Sequence, residues 1–230
     1  RVFCVGFQGP QVVASWVSIL TVLALATMTV GNVVGLAQTN IKRMLAYSSV
    51  AHAGYLLVGV VVTSSASSRR EALSAILYYL AGYIFMNLGA FGVASLIGKD
   101  TGDGEEGYSL YSYSGLALRR PVIAAIMTAF MLSLTGIPPM AGFLGKFFLF
   151  RAAVDGKFYL LAVVGLLNSV VGACYYLRVV VHMYMKDSSV DTPGPPLTAA
   201  EGLSLALSTI ATIFLGILPV WFLNLTRTLL

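Results

Sequence analysis

The chain has 230 residues, of which 58% are hydrophobic and 10% charged, with a mean hydropathy of +0.86. A soluble domain carries roughly 25% charged residues, so this composition excludes an ordinary water-soluble enzyme and a disordered tail, and leaves an all-α polytopic membrane protein. The net charge of +5 is scattered with no basic run longer than two residues, so it marks no nucleic-acid partner.

About 20 apolar residues cross a bilayer as a helix, and six stretches of that kind follow one another along the chain. The first covers 12–37 and holds no charge; the second covers 41–63, after a short turn carrying Gln38, Asn40, Lys42 and Arg43. The third covers 71–97, behind a Ser-rich turn closed by Arg69 and Arg70. An acidic loop, 98–120, leads to the fourth, which opens on Pro121, a favoured first helical residue. The fifth covers 157–185. A Pro- and Gly-rich loop over 186–200 then joins a closing span expected over 201–225.

The fourth span, 121–150, has 30 residues, or about 45 Å of straight helix against a hydrocarbon core of about 30 Å. Its middle reads Thr135-Gly136-Ile137-Pro138-Pro139. Two prolines remove two backbone donors and disfavour helix just before them, so a broken helix is expected, with halves ending near Leu134 and restarting near Met140. Irregular backbone at membrane depth persists only inside protein or beside a wet cavity, and broken helices mark ion sites in transporters.

Lys146 stands out, flanked by Phe143, Phe147, Phe148 and Phe150, with no acidic residue within four positions. An ionisable side chain inside a span is a functional candidate, and a desolvated lysine can exchange its proton as well as hold it. The bland alternative is a lysine that snorkels to the interface, for which Arg151 is the better candidate. His52 is second: Ser48, His52 and Tyr55 recur on one helix face near mid-depth, where a histidine can relay protons or simply bond a neighbouring helix. Tyr79, Tyr83 and Asn87 form a polar stripe on the third span, able to hold a water wire or to join helices. On the fifth, Asn168, Tyr175, Arg178 and His182 share roughly one face, the last two close to a surface.

Other signals carry nothing. The GxGxxG match at 102–107 follows a helix rather than a strand, and its three carboxylates would repel a pyrophosphate. Cys4 and Cys174 have no metal spacing and are expected as inert buried thiols. No P-loop, nucleophile elbow, haem or iron–sulfur spacing occurs, so no cofactor is expected in this chain and energy for uphill ion movement must come from elsewhere. The loop cations divide evenly between the two sides, Lys42, Arg43, Lys99, Arg119, Arg120 and Lys186 against Arg1, Arg69, Arg70, Arg151, Lys157 and Arg227, so charge does not set the orientation. The chain opens on Arg1 without a signal-peptide pattern and reads as cut.

Two stretches resemble the antiporter-like membrane subunits of respiratory complex I, the proton-translocating NADH:quinone oxidoreductase: NIKRMLAYSSVAHAGY at 40–55 and LSLTGIPPMAGFLGKF at 132–147. YIFMNLGAF at 83–91 and YYLRV at 175–179 support the likeness, which is nearest to the bacterial N-subunit branch. The resemblance implies that residues 12–185 are the second five-helix antiporter-like repeat, with 1–11 the tail of a preceding span and a loop, and the first repeat missing. It implies that Lys146 is the central proton-carrying lysine, that His52 is a relay, and that Ser48, Tyr55, Tyr79, Tyr83, Asn87, Pro138, Pro139, Arg178 and His182 support a polar axis. It also implies a place in the bacterial inner membrane, with the 38–43 turn facing the cytoplasm. The partners would be other membrane-arm subunits, including neighbouring antiporter-like ones, and the lipid bilayer. NADH, FMN, iron–sulfur clusters and quinone would be bound by other subunits. A subunit of a multi-subunit Na+/H+ antiporter or of a membrane-bound hydrogenase is the nearest alternative, and a purely structural scaffold with an idle Lys146 is a third.

Overall fold

A computed structural model describes residues 9–100, 105–187 and 197–229. Residues 1–8 of the tail and loop expected over 1–11, with Cys4, residues 101–104 of the acidic loop, and most of the 186–200 loop lie outside the described residues. The described chain is helical, in the order α1 Pro10–Leu36, α2 Ile41–Val62, α3 Arg69–Asp100, α4 Leu116–Arg119, α5 Pro121–Thr135, α6 Ala141–Asp155, α7 Tyr159–Met185, α8 Ala199–Ile217 and α9 Pro219–Leu229. Among the described residues, α1, α2, α3, α7 and α8 are each long and apolar enough to cross a membrane, and α5 and α6 are the two short halves of the broken span. The protein is an all-α polytopic membrane protein.

Local chemistry sets the helix ends. Pro10 opens α1 and Pro121 opens α5, where a missing N–H costs nothing. The Asn40 side chain caps α2 by accepting from the Arg43 N–H at 3.1 Å. Thr198 and Glu201 form a reciprocal capping box on α8. The break in α5/α6 falls at 136–140, one residue later than expected at each end, and α6 runs on to Asp155. The largest departure is at the C-terminus. The single closing helix expected over 201–225 is two helices, because Leu218 precedes Pro219 and that position disfavours helical backbone. The buried thiol expected at Cys174 is also corrected: the residue is exposed on α7 and bonds only to its own helix, at Val170 O.

The helices alternate in direction, so their connections fall on two faces. On the Arg43 face, Leu110 N–H bonds Thr39 O at 2.8 Å, Gly115 N–H bonds His182 O at 3.3 Å, and Lys99 pairs with Glu201 at 2.8 Å. The Lys42 ammonium sits 4.6 Å from the centre of the Tyr108 ring. These contacts tie the starts of α2 and α8 and the ends of α3 and α7 to one side. Two apolar clusters fill the interior. One, nearer the Arg43 face, includes Ile41, Leu45, Met86, Phe130, Met131 and Val179. The other, nearer the opposite face, includes Ala24, Met28, Val58, Leu149, Ala153 and Leu161. His52 lies between them, halfway along the 22 residues of α2. Outer surfaces of α1, α7 and α8 expose Ile19, Val22, Leu167, Val170, Leu207 and Ile210, which suits lipid or a partner helix.

Candidate functional site

The broken helix builds a cation site from its own defect. In an unbroken helix the N–H of residue 138 would bond the carbonyl of Leu134, and that of residue 139 the carbonyl of Thr135. Pro138 and Pro139 have no N–H to give. Gly136 turns the chain out of α5 in the left-handed region, φ 90°, and the N–H groups of Gly136 and Ile137 close instead on Leu132 and Ser133. Two carbonyls are thus left unpaired at the negative end of the α5 dipole. Lys146, on the second turn of α6, fills both: its Nζ donates to Leu134 O at 2.8 Å and to Thr135 O at 3.0 Å. Its third proton goes to Ser169 Oγ on α7, at 2.9 Å.

All three ammonium protons are therefore bound by neutral acceptors. Lys146 is 6% exposed and is the only buried Lys, Arg, Asp or Glu among the described residues; no carboxylate pairs with it. It does not snorkel. Arg151, on the same helix, takes the exposed position and lies 3.7 Å from Asp155. Gly136 makes the close approach possible, since a Cβ there would stand 3.3 Å from Lys146 Cδ. Gly136→Ala should lower the thermal stability of the detergent-solubilised full-length protein by about 1–2 kcal/mol, because alanine resists the left-handed region. An unchanged melting temperature would contradict that geometry.

His52 lies within a chain of hydrogen bonds. Its Nδ1 meets the Tyr79 hydroxyl at 2.6 Å, its Nε2 meets the Tyr176 hydroxyl at 3.1 Å, and Tyr176 bonds in turn to Ser48 Oγ through a short contact. Four groups from α3, α2 and α7 are joined, and Ser48 lies one turn nearer the Arg43 face than His52. The imidazole stacks on Tyr83 at 4.7 Å and meets Tyr55 edge-on at 5.7 Å. Tyr55 also carries Lys146 Nζ 5.4 Å from its ring centre, so one aromatic ring touches both ionisable groups. Tyr79 packs on Gly145, beside Lys146.

The remaining candidates divide. Tyr83 lies next to Ser49, but its buried hydroxyl makes no hydrogen bond of acceptable geometry. Asn87 is a full turn further along α3, and its buried Oδ1 has no partner. Arg178 donates to Gln38 O and clamps the α1–α2 turn to α7. His182 stands at the Arg43 face against Ser114 and Tyr111, apart from the His52 chain. Tyr55, Tyr175, Asn168 and Asn32 form a second polar knot: Asn32 accepts from the Tyr175 hydroxyl at 2.9 Å and donates to Tyr55 at 3.2 Å, and Asn168 Nδ2 reaches Thr29 at 3.3 Å.

Three residues at this centre escaped sequence reasoning: Asn32, Tyr176 and Ser169. Ser169 and Tyr176 are seven apart, hence on one face of α7, and a polar pair at that spacing inside a span was a usable signal. Asn32 had none beyond being the single amide in its span.

Between α6 and α7 a groove of about 420 Å³ opens to the outside. Phe143, Phe147, Phe150, Val163 and Leu166 form its walls, and Lys146 and Ser169 lie at its polar end.

The family model described as "NADH:quinone oxidoreductase/Mrp antiporter, TM" matches residues 3–172. NADH-quinone oxidoreductase subunit N of Trichlorobacter lovleyi is 47% identical over 219 residues, 95% of this chain and 43% of that protein. Subunit N 1 of Solibacter usitatus is 44% identical over 230 residues, 97% of this chain and 44% of its own length. A chain of respiratory complex I from Thermus thermophilus with bound aureothin is similar in structure, with a TM-score of 0.76 at 31% identity, over 90% of this chain and 45% of that one. The chain spans less than half the length of these relatives.

Proposed function

Because the chain belongs to the NADH:quinone oxidoreductase/Mrp antiporter transmembrane family, we propose that it is the lysine- and histidine-bearing part of a proton-translocating membrane-arm subunit of NADH:quinone oxidoreductase. One observation carries this: the Lys146 ammonium is buried, fully hydrogen-bonded, and held by neutral groups alone. A lysine paired with a carboxylate is locked in its charged form, because losing the proton would strand a buried anion. A lysine held by carbonyl dipoles and a hydroxyl strands nothing when it becomes neutral. It can therefore load and unload a proton in response to a change of charge in its surroundings.

In this reading Lys146 stores the proton, and the chain Tyr79–His52–Tyr176–Ser48 passes it between mid-depth and the Arg43 face. Histidine suits the middle of such a chain because it can take a proton on one ring nitrogen and release it from the other. Tyr55 spaces the two groups, Arg178 fixes α7 against the α1–α2 turn, and Pro138 and Pro139 create the acceptors of Lys146. Residues 12–185 are then the second antiporter-like repeat, α8 and α9 close it, and the Arg43 face is cytoplasmic in a bacterial inner membrane. The protein assembles with neighbouring antiporter-like subunits. No electron passes through this chain: NADH, FMN, iron–sulfur clusters and quinone belong to other subunits, and coupling is electrostatic.

The test uses inverted membrane vesicles from cells making the full-length protein, with NADH-driven proton uptake measured per assembled complex. Removing the gene should abolish uptake that depends on this complex. His52→Leu should slow it by about tenfold or more, because the chain is cut at its middle and general acid–base groups contribute at least that much. Unchanged uptake in the deletion strain, or sodium movement that persists with protons collapsed, would overturn the assignment.

A further inference from the structure

We propose that Ser169 is the positioning residue that holds Lys146 in place in both of its protonation states. This rests on the proton-carrying role of Lys146 given above and deepens it. The ammonium has three protons to donate and meets three acceptors, Leu134 O, Thr135 O and Ser169 Oγ. Once a proton leaves, the amine has two N–H groups and one lone pair, and the lone pair calls for a donor. A carbonyl oxygen can only accept. A hydroxyl can rotate and donate. Of the three partners, Ser169 alone can reverse its bond and keep the neutral amine where the ammonium stood.

The hydroxyl is also free to do so. Serine and threonine in a helix can tuck their proton onto the carbonyl four residues back. Ser15, Ser18, Ser49, Thr128, Thr135, Thr209 and Thr212 all do this. Ser169, like Ser48 and Ser133, does not, and its one hydrogen bond among the described residues is the one it accepts from Lys146. Nothing has to break before it turns round. Its place on α7 adds a second link, since Tyr176, two turns along the same face, serves His52. One helix therefore supplies a reversible hydroxyl to each ionisable group of the site.

The experiment compares Ser169→Val with Ser169→Thr in the intact complex, measuring NADH-driven proton uptake per assembled complex, with Lys146→Met in parallel. Valine and threonine have nearly the same shape, and only threonine keeps a hydroxyl. Ser169→Thr should stay within about twofold of the native rate. Ser169→Val should slow uptake about three- to tenfold, the value of one neutral hydrogen bond expressed as a rate. Equal losses in both variants would assign the effect to packing and overturn the proposal. Native uptake in Ser169→Val while Lys146→Met is inactive would overturn it as well and leave the role of Lys146 standing. Native uptake in Lys146→Met would overturn the functional assignment itself. Ser169→Ala supplies the same comparison if the valine variant does not assemble.

Discussion

Lys146→Met should leave the full-length subunit assembled in its complex and slow proton transfer through it by about a hundredfold or more. Methionine has close to the length of lysine and no charge, so it fits the space between α5, α6 and α7 without overpacking. Two opposing terms set its stability. Leu134 O, Thr135 O and Ser169 lose their donor, and a buried polar group left unsatisfied costs about 1–3 kcal/mol. A buried charge is removed, which recovers a desolvation penalty of similar size. The fold is kept because the terms nearly offset. Activity is not, because positioned acid–base groups contribute about a hundred- to ten-thousandfold and no other titratable side chain touches Leu134 O and Thr135 O. Lys146→Arg gives the sharper comparison. Guanidinium keeps the charge and the donors but does not release its proton in a protein. If Lys146 only holds a charge on the end of α5, the arginine variant should work; if Lys146 exchanges a proton, the arginine variant should fail as the methionine variant does. Vesicle acidification per assembled complex separates these cases.

The same comparison explains how far the site was legible before its geometry was known. The break was legible because proline acts through its own covalent structure: Pro138 and Pro139 announce missing donors wherever they stand. Lys146 was legible because a cation among phenylalanines is rare. What linked them was not. That Lys146 would occupy the two carbonyls the prolines leave open depends on how α6 folds back against the end of α5, a packing outcome that no local pattern encodes. His52 was legible from its face on α2, but Tyr176 stands beside Tyr175 with nothing local to tell which ring turns inward to His52, and one hydroxyl in an apolar span, as at Ser169, is ordinary. Arg178 and His182 share the same helix as both and join neither centre. Helical periodicity places residues on a face but does not say which neighbouring element meets that face. The division of the last span was missed for a simpler reason. Apolarity continues through Leu218, Pro219 and Val220, so hydropathy runs on where proline geometry ends the helix.

Gly142→Ala should disrupt the protein more than any surface change, at a cost of about 3 kcal/mol or more, and should take proton transfer with it. Gly142 is the second residue of α6, and a Cβ there would lie 1.8 Å from the Ser133 carbonyl oxygen. Overpacked interiors commonly lose about 1–3 kcal/mol by moving flexible side chains. Here the obstacle is backbone, and it cannot move aside: Ser133 O accepts the Gly136 N–H at 3.0 Å within the turn that ends α5. Gly142 N–H itself bonds Ser133 Oγ at 3.2 Å. To admit a methyl group, α6 must slide outward by well over 1 Å. That motion carries Lys146 Nζ away from Leu134 O and Thr135 O and separates Gly145 from the Tyr79 ring, which its own missing Cβ admits. The buried cation then loses its acceptors, so the packing and electrostatic penalties arrive together. Gly202→Ala is the matched control. Gly202 lies on α8 with nothing within 4 Å of its added Cβ, and alanine in an open helical position stabilises by about 0.5–1 kcal/mol. Complex yield and melting temperature in detergent should fall sharply for Gly142→Ala and hold or rise for Gly202→Ala. Equal yields from the two variants would mean that α6 is free to shift against α5, and a site whose two halves slide could not keep Lys146 on the carbonyls that define it.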